Sequence, residues 1–168
     1  MSYINLFDNE VEKISNADLS TLTTVKTGGK AKLLVSPSSG KQLINILKTV
    51  KQNNIPFFIL GKGSNVLASD KGFNGVIIKP DRFLSQIYFE KDLIVAEAGA
   101  TTAMLSHFAM QYGLSGAEFF STIPATVGGA VAMNAGCFGH CVADRVQKVV
   151  AVDEKGEHVF YANQLMFD

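Results

Sequence analysis

The sequence predicts an α+β (α/β) protein in two lobes, a small βαβ lobe followed by a larger mixed-sheet lobe. Three observations point there. Residues 31–60 run strand, amphipathic helix, strand. A glycine-rich turn, Gly61-Lys62-Gly63-Ser64-Asn65-Val66, leaves the second of those strands directly. A second run of small residues, 123–136, follows another strand and helix.

Taken in order, residues 1–22 read as a short amphipathic helix, with Ile4, Leu6, Phe7, Val11 and Ile14 apolar, leading into a Ser/Thr-rich link. Residues 31–35 are a candidate strand. Pro37-Ser38-Ser39 then offers capping residues for a helix over about 40–53. Leu43, Ile44, Ile46, Leu47 and Val50 form its apolar face at the helical period. Pro56 marks the turn into a strand over 57–60. That spacing is a βαβ unit, which implies a parallel pair joined by a right-handed crossover. The glycine-rich turn then falls at the carboxyl end of a parallel strand, where open α/β sheets hold ligands.

The second lobe begins after Gly75-Val76-Ile77-Ile78-Lys79. Residues 93–97 read as a strand ended by Gly99. A helix runs from Thr102 to Tyr112, with Met104, Leu105, Phe108 and Tyr112 at helical spacing and Gly113 at its C′ position. Residues 148–152 and 158–161 flank the turn Asp153-Glu154-Lys155-Gly156 and read as a hairpin. The expected organisation is a helical segment over 1–22, a first lobe over 23–80 and a second over 81–168.

Two glycines around Lys62 let the backbone turn with positive φ and bring main-chain N–H groups close to a ligand. Consecutive N–H groups in such a turn form a concavity for phosphate oxygens. A lone Gly-x-Gly also fits a plain tight turn. The run 123–136 adds to it: Gly128, Gly129, Ala130, Ala132, Ala135 and Gly136 offer little bulk. It is too irregular for a strand and too rich in glycine for a stable helix interior. Two such segments in one chain point to a large, phosphate-bearing ligand lying against backbone.

Two familiar nucleotide motifs fail. Counted from Gly61-Lys62, the outer P-loop glycine falls on Pro56 and the hydroxyl position on Gly63. The third glycine of a dinucleotide fingerprint falls on Val66; Asp81 stands about twenty residues beyond Gly61, which without that glycine is weak support. Cys137, His140 and Cys141 lie close together, but nothing nearby supplies a fourth metal ligand, so no metal is expected. A disulfide between cysteines so close in sequence would have tight geometry, and both are expected as free thiols. His107 is expected to be partly buried on its helix, and His158 to face solvent.

The 168 residues, 47% hydrophobic, can bury one sizeable core, and the zero net charge leaves no electrostatic footprint for nucleic acid. No apolar run reaches the length of a membrane span. The first ten residues lack the basic and apolar regions of a secretory signal, so a cytoplasmic location is expected.

Four segments carry a family resemblance in order: Thr23-Thr24-Val25-Lys26-Thr27-Gly28-Gly29-Lys30-Ala31; Asn54-Ile55-Pro56 with Leu60-Gly61-Lys62-Gly63-Ser64-Asn65-Val66-Leu67; Gly113-Leu114-Ser115-Gly116-Ala117-Glu118-Phe119; and Ile123-Pro124-Ala125-Thr126-Val127-Gly128-Gly129-Ala130 with Met133-Asn134-Ala135-Gly136. Together they cover most of residues 21–139 and resemble the UDP-N-acetylenolpyruvoylglucosamine reductase (UDP-N-acetylmuramate dehydrogenase) family, flavoenzymes of peptidoglycan precursor synthesis. The first segment departs slightly, since the family usually has an aromatic residue at Val25 and an aliphatic one at Thr27.

The resemblance implies a two-lobed FAD-binding domain of the vanillyl-alcohol-oxidase/PCMH type. It implies noncovalent FAD, because Ser64-Asn65 leaves no histidine in the turn for attachment. Gly61, Lys62, Gly63, Ser64, Asn65 and Val66 would hold the pyrophosphate. Ile123, Pro124, Ala125, Thr126, Gly128, Gly129, Asn134, Ala135 and Gly136 would line the flavin. In the family NADPH reduces the flavin, which passes hydride to UDP-N-acetylglucosamine enolpyruvate.

The resemblance also implies that no catalytic residue lies in this chain. The family's arginine, in a Tyr-Arg-x-Ser motif, its serine proton donor and its glutamate all fall beyond Asp168, as does the substrate-binding domain. Arg82 and Arg145 lack the motif's context. Catalysis would then need a missing segment or a second polypeptide. The alternatives are a non-catalytic flavin-binding module, or a decayed remnant of the enzyme. Another oxidoreductase on the same fold is disfavoured by the pairing of Ile-Pro-Ala-Thr-Val-Gly-Gly with Asn-Ala-Gly. Apolar surface left without its usual cover is expected to promote self-association.

Overall fold

The computed structural model describes residues 3–167. Its first sheet holds β1 (Glu12–Asp18), β2 (Lys30–Ser36), β3 (Phe57–Ile59) and β4 (Phe73–Ile78), and α1 (Gly40–Gln52) links β2 to β3. The spatial order is β1-β2-β4-β3. β1 runs antiparallel to β2, and β4 is parallel to both of its neighbours. β4 takes the centre because Val76, Ile77 and Ile78 are apolar on both faces and all three are buried.

One face of the sheet packs Leu33, Val35, Val76 and Ile78 against Ile46, Leu47 and Val50 of α1. The other gathers Leu34, Ile77, Ala17 and Leu60 with Val66 and Ala68 from the connection after β3. A register shift between Ala31 and Leu33 leaves one extra residue of β4 between Phe73 and Val76, and both Ala31 and Leu34 belong to that second cluster. α1 begins where side chains can satisfy free donors. Ser39 Oγ accepts from Gln42 N at 3.2 Å, and Gln42 Oε1 accepts from Ser38 N at 2.6 Å.

The second lobe carries hairpin β5 (Ile87–Glu90)/β6 (Leu93–Ala96), α2 (Thr102–Gln111), α3 (Val127–Ala132), the short pair β7 (Gly136–Cys137)/β8 (His140–Cys141) and hairpin β9 (Lys148–Val152)/β10 (Glu157–Tyr161). The three strand pairs are separate and antiparallel. Phe119, Phe120, Ala130 and Val142 form this lobe's core, with the two phenylalanine rings stacked at 4.1 Å. Phe89 of β5 meets Phe108 and Tyr112 at 5.1 and 4.8 Å, which seats α2 on the first hairpin. Thr101 Oγ1 caps α2 by accepting from Met104 N, and Gly113 closes it with φ +67°. Among the described residues, no helix is long and apolar enough to cross a membrane.

Several expectations are corrected. The helix expected over 1–22 is instead a short 3-10 turn, Tyr3–Leu6, followed by strand β1. β2 presents a backbone edge that Glu12–Asp18 satisfies, and this pairing outweighs a loose apolar pattern; Ile14 stays half exposed. The expected β2–β3 neighbours are parallel but separated by β4, because the short β3, with Phe58 and Ile59 exposed, suits an edge. Residues 127–132 do form a helix despite two glycines, since Thr126 Oγ1 caps it by accepting from Gly129 N at 3.2 Å. β5 was not foreseen. His107 is exposed rather than partly buried.

Candidate cofactor site

The 61–66 turn leaves β3 at the carboxyl end of the parallel strands. Pairing persists one step past β3, where Leu60 N donates to Ile78 O at 2.9 Å, and then the backbone departs. Gly63 has φ +73°, and a Cβ there would stand 2.2 Å from Leu22 O. Only glycine fits. Gly63 O accepts from Thr24 N at 3.1 Å, and Gly29 N donates to Ser69 O at 2.9 Å, so residues 22–29 form the floor under the turn. Among the described residues, the N–H groups of Lys62, Gly63, Ser64 and Asn65 donate to no protein acceptor. Four successive free donors on a turn held from behind make a cradle for an anion.

The second small-residue loop is fastened to residues 98–102. Thr102 N donates to Ala125 O at 3.1 Å, Val127 N to Ala100 O at 2.7 Å and Gly128 N to Ala98 O at 2.8 Å. Thr102 Oγ1 adds donation to Ile123 O at 2.5 Å. A Cβ on Gly128 would lie 2.8 Å from Ala98 Cβ, which is why that position carries none. Pro124 is exposed beside this fastening, while Thr126 is buried.

The two loops touch. A Cβ on Gly61 would lie 2.4 Å from Thr126 Oγ1. Segments far apart in sequence thus meet, with Gly61 against the Thr126 side chain. Asn134, Ala135 and Gly136 join the second loop through α3: Asn134 N donates to Val131 O at 3.2 Å and Ala135 N to Ala130 O at 2.9 Å. Asn134 has φ +41°, and its Oδ1 accepts from Ala143 N at 3.0 Å, which ties the loop to the turn after β8. Cradles that a Cβ would fill and unpaired N–H groups fit a ligand with both a flat ring and phosphates.

A family model described as an FAD binding domain matches residues 31–161. The chain belongs to that family. It is 42% identical to the UDP-N-acetylenolpyruvoylglucosamine reductase of Caldanaerobacter subterraneus over 90% of this chain and 50% of that protein. The crystal structure of UDP-N-acetylenolpyruvylglucosamine reductase from Thermus caldophilus superposes with a TM-score of 0.72 at 31% identity, covering 92% of this chain and 53% of that one. A cholesterol oxidase from Brevibacterium sterolicum, at 15% identity and a TM-score of 0.69, shares the fold over 92% of this chain and 33% of its own. The chain spans about half the length of the curated relatives it matches. The two-lobed FAD-binding architecture expected from the resemblance is thereby established, and FAD is the cofactor its family binds.

Away from the cradle, a cleft of about 340 Å³ is lined by Glu118, Ser121, Thr122, Phe138, His140 and Arg145, among others. Glu118 is held below the usual carboxylate range by backbone N–H donors, its own and that of Gly116 at 2.7 Å. Arg145 lies across Gly116, and Arg82 pairs with Glu12. Cys137 pairs with His140 and Gly136 with Cys141, so the two thiols emerge on opposite faces of the β7–β8 pair. That alternation disfavours a disulfide between them. Asp81, weighed above as a ribose ligand, instead binds Lys79 Nζ at 2.7 Å. Lys79 was not foreseen at all; its one sequence signal is a lysine closing the apolar run 76–78.

Proposed function

We propose that this chain is the FAD-binding portion of an NADPH-dependent UDP-N-acetylenolpyruvoylglucosamine reductase, acting in the cytoplasm on UDP-N-acetylglucosamine enolpyruvate to give UDP-N-acetylmuramate. The contact between Gly61 and Thr126, which joins the two small-residue loops, carries this reading. The N–H groups of Lys62, Gly63, Ser64 and Asn65 bind the pyrophosphate, with the Ser64 hydroxyl as a further donor and Val66 anchoring the turn in the sheet's second core. Ile123, Pro124, Ala125, Thr126, Gly128 and Gly129, with Asn134, Ala135 and Gly136, present backbone and small side chains to the ring system. Bound flavin supplies the two-electron carrier between nicotinamide and substrate. No catalytic acid or base is assigned to this chain: Arg82 is engaged by Glu12 and Arg145 lies over Gly116. Those groups come from the remainder of the enzyme or from a second polypeptide.

Flavin fluorescence titration tests the reading. Saturable quenching by the chain is expected, and Gly61→Val, which drives a side chain into Thr126, should weaken it at least tenfold. A folded chain that leaves flavin fluorescence unchanged would overturn the proposal.

A further inference from the structure

Lys79 leaves the carboxyl end of β4, the central strand, and its own N–H donates to Val35 O at 2.9 Å, so its backbone is fixed by the sheet. The side chain is mostly buried, 19% exposed. Its Nζ donates to two acceptors, the carbonyl of Gly61 at 2.9 Å and Asp81 Oδ2 at 2.7 Å. An ammonium removed from water needs such partners, and a charged donor makes a stronger bond to a carbonyl than a neutral one.

The consequence lies on the other side of one peptide bond. In a planar trans peptide the carbonyl of one residue and the N–H of the next point in opposite directions. Drawing the Gly61 oxygen towards Lys79 therefore turns the Lys62 N–H away from it. That N–H is the first of the four free donors in the cradle.

We propose that Lys79, tethered by Asp81, is a positioning residue that sets the orientation of the phosphate-binding turn through the Gly61 carbonyl. It acts on the ligand through the backbone and needs no contact with it. Asp81 fixes where the ammonium can reach, since its carboxylate is 23% exposed and shares the same Nζ. The effect on ligand affinity rests on the flavin reading above; the effect on the turn does not.

The test uses the full chain in two measurements. In the absence of ligand, the amide resonances of residues 62–65 should shift in Lys79→Met, while those of β2 stay in place. With FAD as probe, Lys79→Met should raise the dissociation constant about tenfold or more, the scale of losing a charged hydrogen bond. Lys79→Arg, which keeps a cationic donor, should recover most of both effects. If Lys79→Met fails to fold, Asp81→Asn decides instead, and it should move the same amides in the same direction. A folded variant with unchanged amides at 62–65 overturns the positioning role. A parent chain that binds no FAD, with amides that still move in Lys79→Met, removes the flavin reading and leaves the positioning role standing.

Discussion

Gly63→Ala is the sharpest probe of how the cradle is supported. Its φ of +73° is left-handed, which costs a residue with a Cβ about 1–2 kcal/mol. The new Cβ would also stand 2.2 Å from Leu22 O and 3.0 Å from Thr23 Cα, both backbone atoms that cannot rotate away. Forcing an atom into filled space costs about 1–3 kcal/mol more. The total is about 2–5 kcal/mol, which for a chain of this size lowers the melting temperature by roughly 5–15 °C. Gly113 provides the control, because its φ is also left-handed at +67° while nothing lies within 4 Å of its Cβ position. Gly113→Ala should cost only about 1–2 kcal/mol. Urea unfolding of both variants, followed by circular dichroism, gives the comparison. Equal destabilisation would show that the turn does not rest on residues 22–23 and that the cradle has no backing there.

Two further outcomes are expected. Asp153 Oδ1 lies 3.0 Å from His158 Nε2 and accepts from Lys155 N and Gly156 N; these contacts, His158 first, hold its carboxyl below the usual range. The stabilisation this gives the β9–β10 turn is present above the ordinary carboxylate pKa of about 3.9 and is lost as pH falls below it through the folded value. His158→Ala should move the Asp153 titration upward in a carboxyl-detected NMR experiment, and an unmoved titration would refute the assignment. Val150 and Val159 pair across β9–β10 and are each about half exposed, beside Phe160 and Tyr161. Light scattering should show mass rising with concentration, less so in Val159→Glu; a monomer at every concentration would count against association through this hairpin.

Local chemistry made much of this fold legible. Ser39 and the apolar face of 43–50 mark α1 because cap and period agree on one element. The turn at 61–65 was readable because glycine spacing reports backbone geometry directly. Most of the misses share a cause, which is that the contacts deciding them lie outside the segment; β5, whose partner β6 follows after two residues, is the exception. β1 is polar and exists as a strand because β2 offers it an edge. β4 is central because β2 and β3 flank it, a fact that its own residues state only as apolarity. Lys79 reads as an ordinary lysine until β4 is placed beside β3. The helix at 127–132 depends on a capping hydroxyl and on fastening to 98–102, which overcome the cost of Gly128 and Gly129.

Parallel neighbours require a long return between them, commonly a helix. β3 and β4 are such neighbours, and their return is residues 60–72, the glycine-rich turn and its continuation. Val66 and Ala68 from that return cover the sheet face opposite α1. The segment that would hold a cofactor therefore also serves as a lid on half of the hydrophobic core. Such a loop has little freedom to open on its own, since exposing the cradle from behind would wet Leu34 and Ile77. Hydrogen exchange of the Thr24 and Gly29 amides, which donate to Gly63 O and Ser69 O of this return, should then track global unfolding rather than local loop motion. Ligand release would have to proceed with this half of the site still in place.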